Sequence, residues 1–124
     1  MTDLGSIFAE LGRRLNVGEL KFGASSPLAF EIDSVGTITF EMDPNADDLL
    51  VSLSWPLEPF NQTLLPKAFE ACSLENSPDW PMEAGLFNDK ILLMVRLSLS
   101  TLNAPTIEAL ILRLIKVYQN IIKA

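Results

Sequence analysis
The acidic side chains are the residues most able to do chemistry, because the chain contains no histidine at all. Asp43-Pro44-Asn45-Ala46-Asp47 opens like a calcium loop, D-x-N-x-D. Its sixth position is Asp48 where such a loop needs glycine, and its twelfth is Ser54 where it needs a bidentate glutamate. The spacing therefore predicts a solvated turn. Glu31, Asp33, Glu41 and Asp43 could gather carboxylates on one hairpin, but acid–base pairs work in clefts that shift their pKa values. These four alternate with apolar residues, as a solubilising outer face does. Cys72 is the single cysteine and has no histidine to activate it. A buried helix cysteine acting as a small hydrophobe fits better than a nucleophile. Gly23-Ala24-Ser25-Ser26 lacks the second glycine and the lysine of a phosphate loop. Without histidine, Ser-His-Asp and Cys-His catalysis and His-ligated metals are excluded. No catalytic residue, metal ligand or cofactor site is expected.

The bulk properties point the same way. The 124 residues make one domain, 1–124, with 48% hydrophobic and 20% charged residues. A chain of this size buries roughly two-thirds of its unfolded surface, enough to fold without disulfides. Nine basic against sixteen acidic residues leave a formal net charge of -7. That sign opposes binding to nucleic acid or to an anionic membrane. The start, Met1-Thr2-Asp3-Leu4-Gly5, carries an acid where a secretory leader would carry a base. No apolar run approaches the roughly 20 residues that span a bilayer. A reducing, cytoplasmic setting is expected.

The elements follow from hydrophobic period. Leu4, Ile7, Phe8, Leu11 and Leu15 fall on one helical stripe, with Thr2 or Asp3 as cap and an end near Asn16 to Gly18. Gly5 and Gly12 weaken that helix but permit a close backbone approach. Alternation then predicts three antiparallel strands, around Leu28–Ile32, Thr37–Asp43 and Leu49–Trp55, joined by short turns as a meander. A second helix, about Leu64 to Leu74, begins after Thr63 with Pro66 in its first turn. The loop Asn76-Ser77-Pro78-Asp79-Trp80-Pro81 cannot be helical. Glu83–Phe87 and Lys90–Ser100 predict a hairpin turning at Asn88-Asp89. A final helix, roughly Pro105 to Ile122, buries Ile107, Leu110, Ile111, Leu114, Val117, Tyr118 and Ile121, and Leu112, Ile115 and Ile122 widen its apolar arc. The fold class is α+β, an antiparallel sheet flanked by helices in the order α-β-β-β-α-β-β-α.

Apolar residues outside these stripes are the unusual feature. Phe22, Trp55, Phe60, Trp80 and Met82 flank turns, and Leu92 and Met94 lie on the second face of the last strand. Contiguous apolar surface on a soluble protein marks a partner site, and high charge keeps such a protein soluble alone. The reading is a binder of protein segments. An enzyme using the hairpin carboxylates is the weaker alternative.

The element order, with Leu4-Gly5-Ser6-Ile7-Phe8-Ala9-Glu10-Leu11-Gly12, Leu28-Ala29-Phe30-Glu31-Ile32-Asp33, Gly36-Thr37-Ile38-Thr39-Phe40-Glu41-Met42 and the Leu86–Leu99 hairpin before a long helix, resembles the class I chaperones of type III secretion, the Tir-chaperone family. The sequence departs from that pattern at Ala71-Cys72, where the family has Ala-Asn, and at Asn88-Asp89, where a glycine-containing turn is usual. The resemblance implies a cytosolic homodimer that holds the N-terminal segment of a secreted effector extended and secretion-competent. It also implies effector contacts from Phe8, Leu11, Leu20, Phe22, Leu28 and Phe30, and a dimer interface using Leu86, Leu92 and Met94. A regulatory module of the same fold, with a transcriptional regulator or another chaperone as partner, is the alternative it leaves open.

Overall fold
The computed structural model describes residues 4–18, 20–22, 27–43, 45–58, 63–75 and 80–123, without the side chains of 73–75. The expected caps Thr2 and Asp3, the segment 23–26, Pro44, Phe60 and the loop residues 76–79 lie outside them.

Eight main elements run α1 (Leu4–Leu15), β1 (Leu28–Ile32), β2 (Gly36–Met42), β3 (Asp48–Pro56), α2 (Leu64–Glu75), β4 (Met82–Phe87), β5 (Lys90–Ser98) and α3 (Ala104–Lys123). The order is the one the periodicity predicts. The five strands form one antiparallel sheet in the spatial order β1-β2-β3-β5-β4. The first three strands are a meander. After β3 the chain crosses through α2, lays β4 at the far edge, and returns β5 into the place beside β3.

Strand alternation decides which side is buried. Ile38 and Phe40, Leu49, Val51 and Leu53, and Ile91, Leu93 and Val95 are paired across the strands on one face and are almost wholly excluded from solvent. Against them pack Phe8 and Leu11 from α1, Ala68 and Cys72 from α2, and the α3 stripe Ile107, Leu110, Ile111, Leu114, Val117 and Ile121. All three helices therefore serve a single face. Tyr118 is half-buried, whereas Leu112 and Ile122 stay exposed on the outside of α3.

Local chemistry explains the element ends. α1 stops where Asn16 adopts a left-handed φ of 57°, with the Asn16 N–H donating to Arg13 O and the Val17 N–H to Gly12 O. That pair of bonds is a Schellman closure. Gly12 is needed there for space, since a Cβ would stand 2.1 Å from the Gly18 carbonyl oxygen and 3.2 Å from Leu20 N. The chain after α1 thus folds back flat onto the helix. β5 ends at Ser98, two residues before the expected end, because the Ser98 hydroxyl accepts from the Ser100 N–H and caps a 3-10 turn, Leu99–Thr101. Leu99 consequently leaves the strand face. α3 starts at Ala104, one residue earlier than expected, because the Asn103 side chain accepts from the Thr106 N–H at 2.9 Å. The β4–β5 turn needs no glycine, since Asn88 and Asp89 both take positive φ, 51° and 61°. That is the geometry of a two-residue type I′ turn.

The Gly12 contact makes a stability prediction. Gly12→Ala should lower the unfolding free energy by about 2 kcal/mol in urea titrations, as overpacking against backbone does. An unchanged midpoint would contradict the close seat of Gly18 and Leu20 on α1.

Candidate protein-binding surfaces
The margin at β1 is the first candidate. Among the described residues β1 pairs only with β2 and is the outermost strand, so its other edge offers N–H and C=O groups to an added strand. Leu28, Phe30 and Ile32 point to the helix-bearing face and remain half-exposed, while Ala29 and Glu31 point to the opposite face. Phe30 is held by a chain of rings. It lies 6.0 Å from Phe40, which meets Phe8 edge-on at 5.0 Å, and Phe8 stacks on Phe22 at 4.7 Å. Such pairs contribute about 0.5–1.5 kcal/mol each beyond their burial.

This ladder sorts the six residues expected to touch an effector. Phe8 and Leu11 are completely buried and Leu20 nearly so; they support the surface from beneath. Phe22, Leu28 and Phe30 are the ones half-open beside the edge. The sequence pattern marks all six as apolar, but the depth of each depends on how residues 20–22 fold over α1.

The face of the sheet without helices is the second candidate. The register aligns Thr39, Ser52, Met94 and Glu83 in one row, and Thr37, Ser54, Leu92 and Gly85 in the next. Small side chains at the centre leave a shallow hollow of about 520 Å³ with Leu92 and Met94 in its lining and Phe87, Glu41 and Lys90 among its walls. All three residues expected at a dimer interface, Leu86, Leu92 and Met94, line this hollow, with Leu92 and Met94 on its floor. Leu86 does not share their strand face. It pairs with Ile91, whose side is the core side, and sits half-exposed at that rim. Phe87, 66% exposed and opposite Lys90, shares the face of Leu92 and Met94. Counting back from the Asn88-Asp89 turn gives this parity from sequence alone, because a two-residue turn fixes the register. Phe69, 51% exposed on α2, is another apolar group the pattern analysis passes over.

The polar clusters behave differently from one another. Asp43 and Asp48 both pair with the Arg96 guanidinium, Asp48 at 3.2 Å, and Asp43 also accepts the Asn45 N–H at 2.9 Å. The loop expected to be merely solvated is thus tied to β5. The Arg96 hydrogen bond, then that of Asn45, holds the Asp43 carboxyl below its ordinary value of 3.8. Glu31, Asp33 and Glu41 are exposed and have no ion-pair partner among the described residues. Cys72 is buried, and desolvation, followed by the charge of Glu83, pushes its thiol up to about 11. It stays protonated at neutral pH and is a poor nucleophile. Among the described residues no three of His, Cys, Asp and Glu are grouped to hold a metal ion.

A third recess, about 550 Å³, lies at the sheet end beneath the β1–β2 turn, with Trp55, Tyr118, Glu31, Asp33 and Lys90 in its lining. Trp55 meets Tyr118 edge-to-face at 4.8 Å, and its buried Nε1 has no hydrogen-bond acceptor among the described residues.

Taken together, the described residues form an α+β module with an outermost strand edge, a half-buried apolar stripe beside it and a sheet face without helices. No protein-family model matches the sequence, and no curated protein matches it. Solved structures do resemble the fold. A chain of the HopA1–SchA chaperone–effector complex aligns with TM-score 0.71 and 17% identity, over 96% of this chain and 92% of that one. A chain of the Yersinia pestis type III secretion chaperone SycH in complex with a stable fragment of YscM2 gives 0.69 and 15%, over 94% and 98%. A chain of the ExsC–ExsE complex gives 0.69 and 14%, over 91% and 86%. The protein therefore has the fold of the type III secretion chaperones.

The Arg96 cluster predicts an acid-sensitive contribution to stability. A carboxyl with a lowered folded-state pKa stabilises above its unfolded value, and the contribution fades as pH falls through the folded one. Arg96→Gln should therefore destabilise the protein above about pH 4, with the difference from wild type vanishing in more acidic urea titrations. A pH-independent difference would show that packing, not charge, is what Arg96 supplies.

Proposed function
We propose that this protein is a cytoplasmic type III secretion chaperone. It binds the N-terminal segment of one or more secreted effectors in extended form and keeps it competent for secretion. The observation that carries this reading is the β1 margin, where unpaired backbone runs beside the half-open side chains of Phe22, Leu28 and Phe30. An extended segment gains main-chain hydrogen bonds at such an edge and selects partners by its alternate side chains. Differential affinity for the extended state is sufficient to hold it unfolded, with no nucleotide and no covalent step. The likeness to chains from chaperone–effector complexes supports the same reading. On this reading the protein acts by binding and not by catalysis; its described acidic groups are exposed or paired and its one thiol is buried.

We propose further that it works as a homodimer. What supports this is the hollow lined by Leu86, Leu92 and Met94 with the exposed Phe87 beside it, an apolar patch that the same patch of a second copy could cover across a two-fold axis.

Deleting the gene in its host should abolish or sharply reduce secretion of the effector that co-purifies with the protein. Restoring it with a Phe30→Asp variant of native circular dichroism should not rescue secretion; full rescue would contradict the β1 site. Light scattering at micromolar concentration should give twice the 13.7 kDa protomer mass, and Leu92→Asp with Met94→Asp should give a folded monomer. A wild-type monomer would overturn the dimer.

A further inference from the structure
We infer that the segment added to β1 carries basic side chains at alternate positions, with apolar residues between them; this rests on the reading of β1 as the segment-binding edge. A strand laid along β1 must alternate in step with it. Its residues on the helix-bearing face meet Leu28, Phe30 and Ile32, and these call for apolar partners. Its residues on the other face stand opposite Ala29 and Glu31, with Thr37 and Thr39 as the next row inward.

On β1 and β2 themselves the charge near that second face is of one sign. Glu31 lies on the edge strand itself, Asp33 follows where β1 enters its turn, and Glu41 stands two residues beyond Thr39 on β2. All three are exposed, and none is neutralised by an ion pair among the described residues. Neither nearby cation on that face supplies the missing charge. Arg96 is engaged by Asp43 and Asp48. Lys90 begins β5, three strands from β1, or about 14 Å at ordinary strand spacing. Opposite charges directly across a strand pair are favourable and like charges are not. A lysine or arginine opposite Glu31 thus gains what a glutamate there would lose. The apolar stripe provides the docking surface, and the carboxylates choose among extended segments of equal hydrophobicity.

Four fluorescein-labelled octapeptides, blocked at both ends, test this with the full-length chain. Three alternate leucine with lysine, threonine or glutamate; the fourth has four lysines followed by four leucines. Fluorescence anisotropy at low salt should show the alternating lysine peptide binding about fivefold tighter than the threonine peptide, and the glutamate peptide weakest. Glu31→Gln with Glu41→Gln should bring the lysine and threonine peptides level while leaving threonine-peptide affinity unchanged, and 0.5 M salt should do likewise. Equal affinity for the lysine and threonine peptides overturns the inference, as does equal binding of the block peptide. If no peptide binds while the effector still depends on this protein for secretion, the segment chemistry fails and the chaperone reading stands. The expected affinity order without any effect on secretion is the reverse case.

Discussion
The structure turns on a mismatch between one sheet and its cover. Five antiparallel strands have two faces and two margins, yet α1, α2 and α3 all pack on one face. That face is sealed by near-complete burial of Ile38, Phe40, Leu53, Leu93, Leu110 and their neighbours, the dominant favourable term in a domain of this size. Among the described residues the second face and the β1 margin obtain no such cover. The proposed function rests on those open surfaces.

Openness on this scale is a hazard unless something restrains it. A bare strand edge invites self-association, and half-buried aromatic residues add to the attraction. The formal charge of -7 and the exposed carboxylates on the outer face of β1 and β2 oppose indiscriminate stacking. Meanwhile the Phe22–Phe8–Phe40–Phe30 ladder roots the exposed rings in the core. On the proposed reading, a β1 margin supported from beneath and accessible above would lower the ordering cost of capturing an extended segment.

Much of this architecture was legible before any coordinates. The change from period 3.6 to period 2 after Gly18, and back again at Pro105, marks the elements in order, and the short connectors force the β1–β2–β3 meander. The type I′ turn at Asn88-Asp89 also fixes the parity of β4, so that Phe87 shares the strand face of Leu92 and Met94 while Leu86 borders the same hollow from its rim. That signal was present, and only the pairing had to be counted through. The depth of Phe8, Leu11 and Leu20 was not legible. The resemblance names all three as effector contacts, but they are buried, and Gly12 lets Gly18 and Leu20 of the returning chain lie against α1.

The sequence by itself determined the catalogue of elements, the absence of histidine chemistry and the excess of apolar residues over what one small core needs. These are properties of composition and local period, set by side-chain alternation and backbone sterics within a few residues. Only the tertiary structure decided that β5 inserts between β3 and β4, that Arg96 ties down Asp43 and Asp48, and which hydrophobic groups stay at the surface. Those outcomes depend on contacts between residues dozens of positions apart, where packing volume and charge neutralisation, rather than local preference, choose among the arrangements a pattern allows.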